Sequence, residues 1–331
     1  INSRGVTGLN PNRGVVGQED IDRALEAARA VALPHNREVI HVIPRTYTVD
    51  GQEGIRNPLG LHAYRLEVEA HIITAASSSL RNLEKCVNDA GLAVDRFVLN
   101  PLASGESVLT DAERESGVVV VDIGSGTTDI AVFIEGTVWH TAVIEVGGNH
   151  ITNDIAHVLH LPVAEAERIK IEYGNSIPET VDADLVITCR PFGEDMPTQV
   201  LAFDLSQIIE ARVDEIFTLV LQELKRSGYD GLLPAGVVLT GGTALLKNIR
   251  SNASHVMHMP DRVAIPENLS GLVDKLKTPA HATGVGLMHF ARRLGVSGSD
   301  QLGTRPRRSK REGHDIGKAL GDLFGRLLPD E

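Results

Sequence analysis

VVDIGSGTTDIAVF, residues 120–133, is the stretch on which the reading of the fold turns. Two apolar, β-branched runs flank Gly124, Ser125, Gly126, Thr127 and Thr128, so the pattern predicts two strands joined by a tight glycine turn. Glycines let backbone N–H groups approach an anion closely, and the hydroxyls add donors. Asp122 ends the first strand, where it could hold Mg²⁺ through water. The same residues also suit an ordinary glycine-rich hairpin with Asp122 capping the turn. TVWHTAVIEV, residues 137–146, adds a third strand and completes an antiparallel meander.

Two further motifs lie downstream. In GVVLTGGTALLKNI, residues 236–249, a buried strand delivers Gly241 and Gly242 to the start of a helix, which would offer free N–H groups and a positive dipole end. A plain strand-to-helix turn reads the same way. In AEAERIK, residues 164–170, Glu167 and Lys170 share a helical face. They suit a surface ion pair, or contact with a ribose or a base edge.

Working outward, Ile21, Ala24, Leu25, Ala28 and Val31 mark an amphipathic helix over 18–31. Residues 39–43 read as a strand stopped by Pro44. Leu66, Val68, Ala70 and Ile72 alternate as a half-buried strand. A helix follows Ser77 to Ser79, with Leu80, Leu83, Val87 and Ala90 inward, and Gly91 ends it. A strand at 93–99 and helices at 101–112, 149–159, 163–173 and 205–227 complete the expected order. The last of these carries Ile208, Ile209, Val213, Ile216, Phe217, Val220 and Leu224 on one stripe.

The 331 residues are 42% hydrophobic and 23% charged, which fits a soluble globular chain rather than a disordered one. No apolar run approaches the ~18 residues of a membrane span. Cys86 and Cys189 stand far apart, so neither a disulfide framework nor a cysteine zinc site is expected, and a reducing cytoplasm is the default. His150 and His157 have no ligand set of metal spacing around them. A net charge of −12 and 4% aromatics argue against nucleic acid.

Residues 291–331 nevertheless carry nine Lys/Arg against six Asp/Glu, with five positive charges in RPRRSKR at 305–311. Residues 296–312 read as a basic, disordered linker. In the following HDIGKALGDLFGRLL, the residues Ile316, Ala319, Leu320, Leu323, Phe324, Leu327 and Leu328 form one apolar stripe. Gly317, Gly321 and Gly325 each weaken the helix by ~1 kcal/mol, so it should form only when bound. A basic cluster before such a helix suits an anionic membrane surface, with a helix packed on a protein as the alternative.

Taken in order, these motifs resemble the actin, DnaK-type chaperone and sugar-kinase superfamily, and within it the FtsA family of bacterial cell-division actin homologues. NSRGV at 2–6, HVIPRTYTVDGQEGIRNPLGL at 41–61 and the tail add to the resemblance. It implies an actin-like ATPase fold: two related mixed-sheet domains with an inserted strand-helix-strand-strand subdomain. The expected division is 1–92 for the insertion, 93–115 for a remnant of the first core, 116–160 with 233–295 for the second core, and 161–232 for its outer subdomain. The linker and a membrane helix at 313–331 follow. The chain opens on Ile1, and the family's first phosphate hairpin is expected upstream of it.

The resemblance also implies ATP and Mg²⁺ as cofactors. Gly124, Ser125, Gly126, Thr127 and Thr128 would meet the phosphates and Asp122 the metal. Glu167 and Lys170 would meet the nucleoside, and Gly241 and Gly242 the adenosine. Arg212, in Glu210-Ala211-Arg212 where the family usually has Glu-Pro-Arg, would bind the C-terminal peptide of FtsZ. Other divisome proteins, self-association into filaments and the cytoplasmic face of the membrane at the septum complete the expected partners. Asn100 stands where related ATPases carry Glu or Gln, so hydrolysis is expected to be weak or absent. The alternatives are a pilus-assembly actin homologue and an ATP-dependent kinase or ATPase.

Overall fold

A computed structural model describes residues 1–9, 14–193, 196–271 and 274–297. Residues 1–291 form one compact unit. The chain begins with β1 (Asn2–Gly8), α1 (Gln18–Arg29), β2 (Arg37–Val49), β3 (Gln52–Ile55) and β4 (Arg65–Ala76). These strands make an antiparallel sheet in the order β1-β4-β2-β3. Leu66, Val68 and Ala70 turn one face of β4 onto Ile21, Ala24 and Ala28 of α1, and all but Ile21 of these six are inaccessible to solvent. Gly5 lets helix and strand meet, because a Cβ there would lie 2.0 Å from the Ala24 carbonyl oxygen.

Pro44 does not stop its strand. β2 runs on to Val49, and the register slips between Pro44 and Thr46. A proline lacks the N–H that a regular ladder needs, and a bulge is where a strand tolerates that loss. The helix after β4, α2 (Ser77–Asp89), is present, but its apolar face is not inward. None of its residues is buried and Leu83 is 55% exposed. Residues 92–99 form no strand, since no neighbouring strand takes up their backbone groups. The helix expected at 101–112 is two helices, α3 (Asn100–Val108) and α4 (Asp111–Ser116). Thr110 divides them by capping α4, with Glu113 returning the hydrogen bond in a capping box.

The central sheet follows: β5 (Val118–Ile123), β6 (Thr128–Ile134) and β7 (Thr137–Ile144). After it come α5 (Gly148–Val158), α6 (Val163–Tyr173), the hairpin β8 (Val186–Cys189) and β9 (Thr198–Leu201), and the long α7 (Ala202–Ser227). The described chain ends with β10 (Val237–Thr240), α8 (Ile249–Met257), β11 (Asp261–Val263) and α9 (Ala282–Ser297). The sheet order is β11-β10-β5-β6-β7, parallel from β11 to β5 and antiparallel from β5 to β7. Four consecutive valines make β5 apolar on both sides, so both faces must be covered. Val119, Val121 and Ile123 pack with Ile209, Val213, Phe217 and Val220 of α7. Val118 and Val120 pack with Leu102 and Val108 of α3 and with Ala282 of α9. The result is helices on both faces of a mixed sheet. Gly286 brings α9 against α3, since a Cβ there would lie 1.7 Å from the Ala103 carbonyl oxygen.

The linker expected to begin at 296 starts inside α9, which continues to Ser297. The rest of that linker and the tail helix, with Ile316, Leu320, Leu323, Phe324, Leu327 and Leu328, lie outside the described residues. Among the described residues no helix is long and apolar enough to cross a membrane.

Two titrating groups tie the antiparallel sheet and α4 to the core. His71 of β4 sits between Asn2 Oδ1, 2.8 Å from Nδ1, and Thr141 Oγ1, 3.0 Å from Nε2. The Asn2 oxygen can only accept, so Nδ1 carries the proton of a neutral ring and Nε2 accepts from Thr141. Burial, followed by the positive charge of the chain's amino terminus, holds the ring's pKa down at about 3. Glu113 of α4 receives Arg262 of β11 at 2.7 and 2.8 Å, and that contact holds its carboxyl down at about 2. Both groups bind fewer protons folded than unfolded, so stability rises with pH. His71 stabilises fully above its ordinary value near 6.5 and loses that contribution as pH falls toward about 3. Glu113 loses its contribution between about 4.5 and about 2. Thermal melts should therefore drop by roughly 5–10 °C between pH 7 and pH 4.5. His71→Gln should flatten that slope, and an unchanged slope would remove His71 as its source.

Candidate functional site

The β5–β6 turn is a tight loop whose own hydrogen bond runs from the Gly124 N–H to the Thr127 carbonyl, 2.9 Å. The Ser125 and Gly126 backbone is exposed, and no protein acceptor among the described residues takes the N–H of either. A Cβ on Gly126 would meet nothing within 4 Å. Open N–H groups beside open space are what an anion-binding turn requires.

The start of α5 is stitched onto the back of this turn. Gly148 N–H donates to the Gly124 carbonyl at 2.9 Å and Asn149 N–H to the Ser125 carbonyl at 2.7 Å. A Cβ on Gly147 would lie 2.8 Å from the Gly124 oxygen, so the Gly147-Gly148 pair is what permits the approach. The third side is the β10 turn. Gly241 takes a left-handed φ of 88°, and a Cβ on it would lie 2.5 Å from Asp122 Oδ1. Thr243 donates to the Gly124 carbonyl at 3.0 Å and locks this turn to the hairpin. The segment after Gly241 is a single 3₁₀ turn, 242–245, and α8 starts only at Ile249, so no α-helix N-terminus faces the site here. The Gly241 N–H is already given to the Pro279 carbonyl.

Together these elements and α6 enclose a pocket of about 400 Å³. Of the expected residues, Ser125, Glu167, Lys170 and Gly242 line it. Gly124, Gly126, Thr127 and Gly241 shape its walls, as the contacts above describe. Thr128 is fully buried and its hydroxyl goes to the Val146 carbonyl at 2.8 Å. Glu167 and Lys170 form the ion pair, 2.7 Å, on the pocket wall. Lys170 also donates to Thr152 at 2.9 Å and to the Gly148 carbonyl at 3.2 Å. Burial pushes the Glu167 carboxyl up, but hydrogen bonds from Lys170 and Thr152 outweigh it and hold it below the usual range.

Asp122 is buried and its Oδ2 accepts from Ser104 and Thr283, on α3 and α9. Beside it across the β5–β6 ladder stands Asp129, with Thr127 donating to it at 3.0 Å and Asn100 near enough to favour its charged form. Burial raises the Asp129 carboxyl, and the nearby Asp122 charge adds to the rise. Two adjacent carboxylates at the foot of an open N–H turn are a donor set that suits Mg²⁺ accompanied by a phosphate. Sequence reasoning missed Asp129, Asn149 and Thr243. The Gly147-Gly148 pair was the visible signal for the second, because a glycine pair marks a close backbone approach. Neither of the others belongs to a spacing that announces itself.

Arg212 lies elsewhere, on α7. Its guanidinium grips Asp154 of α5 with both arms, at 2.6 and 2.8 Å, and also pairs with Glu215.

A mixed sheet with helices on both faces, opening at a hairpin turn, an ion-paired helix and a glycine turn, is the arrangement of the actin-like ATPase fold. Solved structures with this fold include MreB 5 of Spiroplasma citri bound to AMPPNP, with a TM-score of 0.57 and 18% identity over 69% of this chain and 68% of that one. The PilM–PilN type IV pilus biogenesis complex gives 0.57 and 16% over 87% and 76%. The family described as Cell division protein FtsA matches residues 119–286, and the SHS2 domain inserted in FtsA matches residues 1–74. The cell division protein FtsA of Pseudomonas aeruginosa is 42% identical over 93% of this chain and 75% of its own length. That of Escherichia coli K12 is 38% identical over 88% and 71%. The chain belongs to the FtsA family of cell division proteins.

Proposed function

We propose that this cell-division protein binds ATP with Mg²⁺ in the pocket, assembles with copies of itself, and ties FtsZ filaments to the cytoplasmic face of the membrane at the septum. The observation that carries the reading is the convergence of three sequence-distant motifs on one pocket of about 400 Å³. The turn at Ser125 and Gly126 would take the phosphates, Asp122 and Asp129 the metal side, and Glu167, Lys170 and Gly242 the nucleoside. Bound ATP would supply a polyphosphate that joins the hairpin to the opposite wall. Asn100 is an amide and cannot take a proton, so this chain's work is binding more than turnover. Membership of the division family favours this reading over pilus assembly and over a kinase. Isothermal titration with ATP·Mg²⁺ tests it, and no heat at any concentration overturns the nucleotide part.

For the partner, the Arg212 fork is already filled by Asp154, so an acidic FtsZ peptide would have to displace that carboxylate. Asp154→Ala should strengthen binding of the FtsZ C-terminal peptide, and Arg212→Ala should weaken it, each by roughly tenfold. Fluorescence anisotropy reads both. Two shifts in the same direction would take Arg212 out of the interface. Arg212→Glu is a poorer test, because it sets a third carboxylate beside Asp154 and Glu215 and should loosen the α5–α7 contact.

A further inference from the structure

The bulge at Pro44–Thr46 makes Arg45 the extra residue of β2, and such a residue is aimed differently from its neighbours. Its guanidinium lies 4.1 Å from the centre of the Trp139 ring on β7 and 5.8 Å from that of Tyr229. Trp139 and Tyr229 meet edge to face at 5.8 Å and hold each other in place. The guanidinium is thus laid on an aromatic floor that fixes its plane.

Arg45 Nε and Trp139 Nε1 are buried donors without an acceptor, and Arg45 has no ion-pair partner among the described residues. Glu223 of α7 is taken, since it receives His140 at 2.9 Å and Arg226 at 2.5 Å. An oriented, unpaired arginine is built for a carboxylate, which it grips with two parallel bonds.

Elsewhere the same chain holds the complementary surplus. Glu179, Asp182 and Asp184 are exposed within six residues, and none has a cation partner among the described residues. The field of Glu179 is felt nearby. Burial first, and then the charges of Asp214 and Glu179, raise the Glu210 carboxyl, with only His255 opposing.

We propose that Arg45, laid on Trp139 and Tyr229, is a carboxylate-binding site, and that its ligand is the acidic segment 179–184 of a second copy of this chain. Each copy carries both patches, so each can offer either side of the contact. The proposal rests on the self-association put forward above and names residues for it.

Sedimentation velocity of the full chain over a concentration series tests it. The unmodified chain should associate, and Arg45→Glu should weaken association by roughly tenfold or more. Asp182→Arg with Asp184→Arg should do the same. Mixing the two variants should restore assembly, because each then offers the other an opposite charge. Arg45→Lys, which keeps the charge without the flat fork, should fall between. If the unmodified chain stays monomeric throughout, the self-association reading fails and this one with it. If the unmodified chain and Arg45→Glu associate equally, self-association stands and this assignment falls. If Arg45→Glu lowers the melting temperature and mixing restores nothing, Arg45 only holds β2 against β7 and the proposal is overturned.

Discussion

Gly126→Val should leave the melting temperature of the chain unchanged and remove ATP binding. The two halves of that result have separate causes. The Gly126 backbone is not left-handed, and its missing Cβ faces open space, so the fold has room for a side chain. That space is also where a phosphate would approach the Ser125 and Gly126 N–H groups. Valine fills it and denies the ligand two charge-assisted hydrogen bonds of about 1.5–3 kcal/mol each, a loss of roughly 100-fold or more. Gly147→Val is the contrasting case, since its side chain would strike the hairpin backbone and should lower stability as well. Paired calorimetry and thermal melts decide it. Full ATP affinity in a folded Gly126→Val chain would move the ligand away from the hairpin.

Replacing Leu323 and Phe324 by Asp should release the chain from anionic vesicles. On the membrane reading proposed above, the tail's apolar stripe would contribute burial at ~25 cal/mol per Å², and the five charges of RPRRSKR would add ~1 kcal/mol apiece near an anionic surface. The double change removes two of the larger side chains from the middle of that face and puts two charges there. Losing about 2 kcal/mol of burial at each site already predicts a drop of roughly 100-fold or more. Salt should weaken binding of the unmodified chain, because the basic cluster acts through screened attraction. Lys318→Ala, on the opposite face, should do little. Co-sedimentation with vesicles measures release, and circular dichroism of a 313–331 peptide measures helix induction. A double variant that still sediments, or a peptide that stays unstructured on lipid, would favour a helix docked on a protein.

The central sheet was legible because its signals are local and redundant. The valine run of β5, the apolar alternation of β4 and the stripe of α7 each point to one element. What was not legible depends on partners distant in sequence. Pro44 looks like a stop until β4 supplies a ladder that accepts a bulge. Leu83 looks like a core residue until its helix proves to leave that side largely open to solvent. The apolar residues of 93–99 read as a strand, but strandness is a property of neighbours. Thr110 is a different kind of miss, because Thr-Asp-Ala-Glu is a capping box in plain view. In the site, the glycines announced the turn, whereas the use of the Thr128 hydroxyl by Val146 and the place of Asp129 beside Asp122 depend on the assembled sheet. The Arg212–Asp154 grip joins two helices that no spacing rule connects.

The bond from Thr243 to Gly124 spans 119 residues of sequence, and the pairing of β10 with β5 spans a similar distance. A ribosome adding ~5–20 residues per second leaves about 6–24 s between making the hairpin and making the wall that closes on it. During that interval β5 has its antiparallel neighbours but an open, valine-rich edge on the other side. The nascent chain therefore carries a sticky strand for many seconds, and the pocket is among the last parts of the molecule to form. Conditions that slow translation between residues 144 and 237 should lengthen this exposure and favour aggregation over folding.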